Sequence, residues 1–508
     1  MTNDALINEE FKSIRFGNID ARTEMNDSPD LLVDGFLDEN GYIDKLIKQR
    51  FFLVYGLKGS GKTAIGSKLI LMSQSNSDLF VEQYTLERFN YTLFEGMGYN
   101  FNSTGKKDGA RTHSRKMHEV ENLKAWEIVL NSALLGMFAN DSELKSKSNG
   151  YVCKVIEGLK EIGALHSGDF STIVRKMSKS NIEANIKILK YKHTSSKESE
   201  NSYDAAYDNL RHAVLDSALS KKHIMVIDGV DSIVSEREIQ NRVLSGLLHA
   251  VSEINSDLCS SKINAKIVLL CRKDLLDMLK DPNKQKIIGD YGLELDWYDH
   301  GAERNNINLI KLVNLRARLS LGRDVDVFEK YFGKMVGKKE TYKFILDYTR
   351  HIPRDMVRLM NEIQKNYAYN KMSPEKFRNA VNSYSADYFY AEVQDELVGI
   401  MSEKETRTVF RLISEIKKYR SSMMELTAKA KELNVDLTGI ELERLLSLLY
   451  DIGAIGNVRK HDNTDKYSFK YRDRWSSFNP REEFVVHLAL QKALNVRGGY
   501  QSKDVDYD

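Results

Sequence analysis

Eight consecutive residues, Gly56-Leu57-Lys58-Gly59-Ser60-Gly61-Lys62-Thr63, have the types and spacing to hold a chain of phosphates. They match G-x-x-x-x-G-K-[ST] at every fixed position. Glycines let successive backbone N–H groups turn inward around an anion, and a helix beginning near Lys62 directs its positive end at the same point. In such a cradle the Lys62 ammonium reaches the β- and γ-phosphates of a nucleoside triphosphate, and the Thr63 hydroxyl binds Mg²⁺. The binding set expected from the loop is Gly56, Lys58, Gly59, Ser60, Gly61, Lys62, Thr63 and Ala64. ATP and Mg²⁺ are the expected cofactors, because no Asn-Lys-x-Asp-type segment follows a late strand to read guanine.

Three further places carry charge where such chemistry needs it. The apolar run Ile224-Met225-Val226-Ile227 ends in Asp228, and a carboxylate at the tip of a buried strand holds Mg²⁺ through its water shell. Asp231 is placed either to orient the attacking water or to cap the helix that follows, with Glu236 as the next choice of base. Arg272 ends a second apolar run, residues 265–270; a cation there faces a γ-phosphate or forms a surface pair with Asp274. After Pro353, Arg354 and Arg358 lie on one face of a helix, turned toward the nucleotide or left as a solvated basic face.

Positioning these groups takes strands that end where the charges begin. Residues 51–55, 79–86, 223–227 and 265–270 read as short buried strands, and 64–71, 123–138 and 238–254 as helices. That alternation predicts an α/β core, a parallel sheet flanked by helices. A helical stretch is expected over residues 31–49, a polar loop over 100–114 and a linker over 193–201. From about residue 305 to 450 the chain reads as nearly all helical. Helix 442–450 is stopped by Gly453, then comes a strand at 454–458, a charged turn at 459–466 and a strand at 467–471, a winged-helix pattern. The expected organisation is a lead-in (1–50), the core (51–304, with a helical insertion at about 140–220), a helical lid (305–382), a winged helix (383–490) and a tail (491–508).

Composition narrows the function classes. Of 508 residues 42% are hydrophobic, enough for two or three cores, and 75 Lys and Arg against 73 Asp and Glu leave a net charge of +2, which argues against a surface built throughout for nucleic acid. The three cysteines, Cys153, Cys259 and Cys271, have no metal-ligand spacing and fit a reducing compartment. Without a basic and apolar start or a run near the roughly 20 apolar residues of a membrane span, a soluble cytoplasmic protein is expected.

In this order of motifs the chain resembles the AAA+/STAND branch of P-loop ATPases, in particular bacterial members, and more distantly origin-recognition-type initiators. The early segment Ile14-Arg15-Phe16-Gly17-Asn18-Ile19-Asp20-Ala21-Arg22-Thr23-Glu24 is similar to the lead-in of those bacterial proteins. The resemblance implies that Phe16 and Gly17 lie against the adenine base and that Arg354 of the lid contacts the nucleotide. It also implies an ATP-driven switch, a homo-oligomer, a partner or effector chain and, in several relatives, a role in defence against phage. One departure is plain: the glutamate that follows the magnesium aspartate in the family is Gly229 here, which points to slow hydrolysis. The alternative reading is a DNA-binding initiator or loader, with Arg459, Lys460, Lys466, Lys470, Arg472 and Arg474 on the wing contacting phosphates. A small-molecule kinase fits poorly, since such enzymes are shorter and lack a winged-helix tail.

Overall fold

Five strands, β1 (Leu53–Gly56), β2 (Leu79–Thr85), β3 (Lys222–Asp228), β4 (Ala265–Arg272) and β5 (Gly292–Leu295), pair in parallel in the order β2-β3-β4-β1-β5. The computed structural model describes residues 3–87, 89–102, 115–141, 150–165, 168–178, 202–230, 237–336, 339–367, 374–461 and 464–496. β4 is buried at every position and β3 at all but its first, as parallel strands covered on both faces require. Parallel pairing needs crossovers, and helices supply them: α1 (Lys62–Ser75) after β1, α2 (Arg115–Asn140) after β2, and α3 (Arg237–Ser260) after β3. The expected α/β core is thus present.

The described chain divides into two compact units: Asp38–Lys58 with Lys62–Leu295, and Met1–Leu37 with Gly59–Gly61 and Asp296–Asp508. The first holds the sheet. Here Trp126 of α2 is fully buried, and its indole N–H donates to the Val243 carbonyl of α3 at 2.8 Å. Lys266 is buried within β4, and its ammonium caps the carbonyls of Leu46 (2.6 Å), Gln49 and Phe51 (3.3 Å) at the end of the helix Tyr42–Lys48. Burial, then the charge of Lys222, pushes its pKa down to about 8.

The second unit is helical, with α4 (Asn308–Leu321) and α5 (Pro353–Asn366) sharing one apolar core with Phe11, Ile14 and Phe16 near the N-terminus. The same core continues into α6 (Glu403–Ile416), α7 (Met423–Glu432) and α8 (Leu442–Asp451). α6 and α7 each begin with a capping box, Ser402 with Glu405 and Ser422 with Glu425. Four antiparallel strands complete the unit in the order β8-β7-β9-β6: β6 (Arg420–Ser421), β7 (Ile455–His461), β8 (Thr464–Ser468) and β9 (Glu483–Val486). Helix, short strand, two helices and a hairpin thus follow one another along the chain.

Several sequence expectations shift. The helix over 31–49 is two, Pro29–Val33 and Tyr42–Lys48, separated by a stretch holding Gly35 and Gly41. The charged turn at 459–466 is mostly strand, since Arg459 pairs with Lys466 and Asp465 with Lys460 in the hairpin. β5 escapes a reading by apolar runs because it has four residues, alternates in burial and starts with glycine. The expected lead-in divides, residues to Leu37 grouping with one unit and those from Asp38 with the other, and the segments read as lid and wing share one core. The linker at 193–201 and most of the loop at 100–114 lie outside the described residues. No helix among the described residues is long and apolar enough to cross a membrane.

Candidate functional site

The sheet brings three sequence-predicted residues to one edge. Gly56, the last residue of β1, lies in register with Arg272, the last of β4, while Ile227 pairs with Leu269, so Asp228 ends β3 at the same carboxyl edge. β4 separates β1 from β3, and by register Asp228 is level with Val54, two residues short of Gly56, so Gly56 and Asp228 stand about 12 Å apart. The carboxyl edge of a parallel sheet is where α/β folds bind ligands, because the loops and helix starts converge there.

From Gly56 the chain enters the loop and then α1, which begins at Lys62. Gly59 and Gly61 have φ of +84° and +100°, the left-handed region open to glycine, which lets successive N–H groups face one way. Lys62 is buried, and its ammonium folds back to donate to the carbonyls of Gly56 (3.2 Å) and Leu57 (2.9 Å). Thr63 and Ala64 are half-exposed in the first turn of α1. Ser60 is 1% exposed, and its hydroxyl has no hydrogen-bond partner among the described residues. An orphaned buried hydroxyl within a glycine cradle at a helix start fits a phosphate group.

Asp228 is buried and accepts a hydrogen bond from Gln83 Nε2 of β2 at 3.1 Å, a partner the sequence reading missed. Its signal was a polar residue near the end of a strand that pairs with β3. Gly229 follows at φ +74°, where an added Cβ would lie 2.8 Å from both Thr85 and Glu87 side-chain atoms. A side chain at this position would strain the backbone and force Thr85 or Glu87 to shift. Asp231 and Glu236 lie outside the described residues. Arg272 is buried and grips Asp274 with two hydrogen bonds, 2.9 and 2.6 Å. The ion-pair reading of Arg272 is the geometry found, although the pair is not a surface one.

In the other unit Phe16 is 2% exposed, its ring packed beside Phe11 at 5.8 Å and its carbonyl accepting from Arg316. The Gly17 carbonyl accepts from Asn361 Nδ2 at 2.9 Å. Phe16 belongs to the apolar core of its unit, and Gly17 beside it is half-buried. The Arg354 guanidinium pairs with Glu392 (3.0 Å) and that of Arg358 with Glu362 (2.9 Å), so the face is neither free nor simply solvated. The Arg354 backbone N–H donates to the Gly59 carbonyl at 3.3 Å. Trp297, which the sequence reading also missed, donates its indole N–H to the Ser60 carbonyl at 2.8 Å.

Most of the expected DNA-contacting cations are engaged by their own unit. Arg472 is held by Asp347 (3.3 Å), Arg474 by Asp296 (2.9 Å), Arg459 by Glu482 (3.4 Å), and Lys470 by the Ser476 carbonyl (2.6 Å). The Lys460 side chain lies outside the described residues, and Lys466 is half-exposed on β8.

A model of the FunZ-associated C-terminal helical domain matches residues 307–391, the stretch that contains α4 and α5. The chain is 21% identical over 295 residues to the "Putative transposon gamma-delta 80.3 kDa protein" of Escherichia coli (strain K12), a match covering 54% of this chain and 40% of that protein's length. Among solved structures it is similar to the Aeropyrum pernix Orc1 protein in complex with DNA, with a TM-score of 0.40, 13% identity and coverage of 92% of this chain and 94% of that one. It is also similar to Cdc6p from Pyrobaculum aerophilum, with a TM-score of 0.32, 10% identity and coverage of 89% and 88%.

Proposed function

We propose that the chain binds ATP with Mg²⁺ at residues 56–64 and hydrolyses it slowly, as an AAA+/STAND-type switch acting with a partner protein or nucleic acid. The observation that carries this reading is the phosphate loop itself, set between β1 and α1 at the sheet edge where β3 ends in Asp228. The loop N–H groups and Lys62 would hold the phosphates, with Thr63 and Asp228 disposed toward the cation. Bound Mg²⁺ would neutralise charge on the β- and γ-phosphate oxygens. Arg272 would have to exchange Asp274 for a γ-phosphate in order to sense it, which makes it a conditional contact. Slow turnover is read from Gly229, which takes the sequence position of the glutamate in the resembled family. The homo-oligomer, the effector chain, the base and lid contacts and a place in anti-phage defence belong to this reading through the resemblance alone.

Calorimetric titration with ATP and Mg²⁺ tests it, on wild type, Lys62→Ala and Asp228→Asn. Wild type should bind, Lys62→Ala should lose at least about 100-fold in affinity, and Asp228→Asn should lose its dependence on Mg²⁺. Equal affinities in wild type and Lys62→Ala would remove the loop from the function.

A further inference from the structure

Two donors hold the outer side of the phosphate loop, and we infer that Trp297 is a positioning residue that sets the loop's N–H groups for phosphate. The inference rests on the nucleotide reading above and deepens it. A trans peptide is planar, so the carbonyl of one residue and the N–H of the next point in opposite directions. The Arg354 N–H fixes the Gly59 carbonyl, and the Trp297 indole fixes the Ser60 carbonyl. The N–H groups of Ser60 and Gly61 are thereby aimed away from both donors, toward the side on which the loop receives its anion. Glycine 59 and glycine 61, at positive φ, have shallow torsional preferences and would otherwise sample several orientations of these peptides.

The brace is itself well held. Arg354 supplies the first free N–H of α5, because Pro353 in front of it has none, so its bond to Gly59 satisfies a helix-start donor. Ile352 and the Arg354 Cβ lie so near Gly59 that an added Cβ would be 2.9 and 3.0 Å from them. Trp297 is half-buried against the core of its unit, and both flanks of its segment are pinned. Asp296 takes the Arg474 guanidinium (2.9 Å), and Asp299 accepts the Asn308 backbone N–H (2.7 Å) and side-chain amide (2.9 Å) at the start of α4. A tryptophan so fixed contributes one directional hydrogen bond, which goes to the Ser60 carbonyl and orients that peptide.

The test is Trp297→Phe, which keeps an aromatic ring and removes the donor, titrated with ATP and with inorganic pyrophosphate. Affinity for both should fall by the same factor, about 5- to 10-fold, with stoichiometry unchanged and the thermal midpoint lowered by only a few degrees, as the loss of one hydrogen bond predicts. Affinities within twofold of wild type would overturn the inference while leaving the nucleotide reading intact; wild type that binds neither probe would end both. Should Trp297→Phe not fold, wild type labelled with ¹⁵N-tryptophan decides the matter. Pyrophosphate should move the Trp297 indole signal and leave that of Trp126, which is bonded to Val243, in place. A Trp297 signal that stays still would sink the proposal.

Discussion

In the sheet unit, β3 and β4 bury apolar side chains almost throughout, and Asp228 and Arg272 stand at the strand tips. The helical unit does the reverse at the start of α5. There Arg350, 4% exposed, is held by Asp355 (3.0 and 3.1 Å) and Glu396 (2.7 Å), and Asp355, fully buried, also accepts from Tyr388 (2.9 Å). Burial alone would lower the Arg350 pKa, and the two carboxylates override it and raise it well above its ordinary value. His351 and His487 are buried nearby and kept neutral, the latter pushed down to about 3 by burial and then by Arg350 and Arg472. His487 stacks on Phe389 and lies 3.3 Å from the Thr349 carbonyl. The sheet unit thus keeps its strands largely apolar, Lys266 being an exception, whereas the helical unit organises part of its core around charge. An apolar core loses stability in proportion to the atoms removed; a buried ion cluster fails when any one partner is lost.

The sharpest way to break this comparison is to remove one atom group from each core. Asp355→Ala leaves Arg350 buried without its main partner and should cost about 3–5 kcal/mol in urea unfolding. Ile267→Val in β4 should cost only about 1 kcal/mol. Equal costs would show that the ion cluster is no more constraining than apolar packing.

Acid sharpens it further. His487 has a folded pKa of about 3 and an unfolded value near 6.5, so the unfolded chain binds the extra proton and stability is lost as pH falls from 6.5 toward 3. Between pH 7 and pH 5 this amounts to about 2 kcal/mol, and His487→Phe should show a pH dependence shallower by that amount. Identical slopes would place the proton elsewhere.

An effect of similar size lies on the alkaline side and in the sheet unit. Lys266, at about 8 when folded against 10.5 when unfolded, is the reverse case of a buried cation that pays a penalty while charged. Here too the unfolded chain holds the proton more tightly, so stability rises between pH 8 and 10.5 as the folded chain releases it. Comparing wild type with Lys266→Met by urea unfolding at pH 7.5 and 9.5 should reveal a gain of about 2 kcal/mol in wild type only. A gain of the same size in Lys266→Met would assign it to another group.

The same contrast explains what was legible in the sequence. Strands whose neighbours cover both faces advertise themselves as apolar runs, and each run ended at a residue with chemistry: Gly56, Asp228, Arg272. The glycine loop was legible because backbone geometry alone dictates its composition. Ion pairs are different, since the partner is chosen by the fold and not by spacing. Arg354 finds Glu392 38 residues away, and Arg472 finds Asp347 125 residues away, so both had read as cations available to a ligand. Trp297 was invisible for the same reason, its acceptor lying 237 positions earlier.

That last separation has a consequence for how the chain matures. The loop leaves the ribosome early, but the residues that fix the Gly59 and Ser60 carbonyls emerge only after some 237 more in the case of Trp297. Domains fold in the order of synthesis at about 5–20 residues per second, so roughly 10 to 50 seconds pass between the making of the loop and the arrival of its brace. A nascent chain stalled before Trp297 would carry the whole phosphate-binding signature and a competent sheet, yet hold its anion nest in a relaxed state.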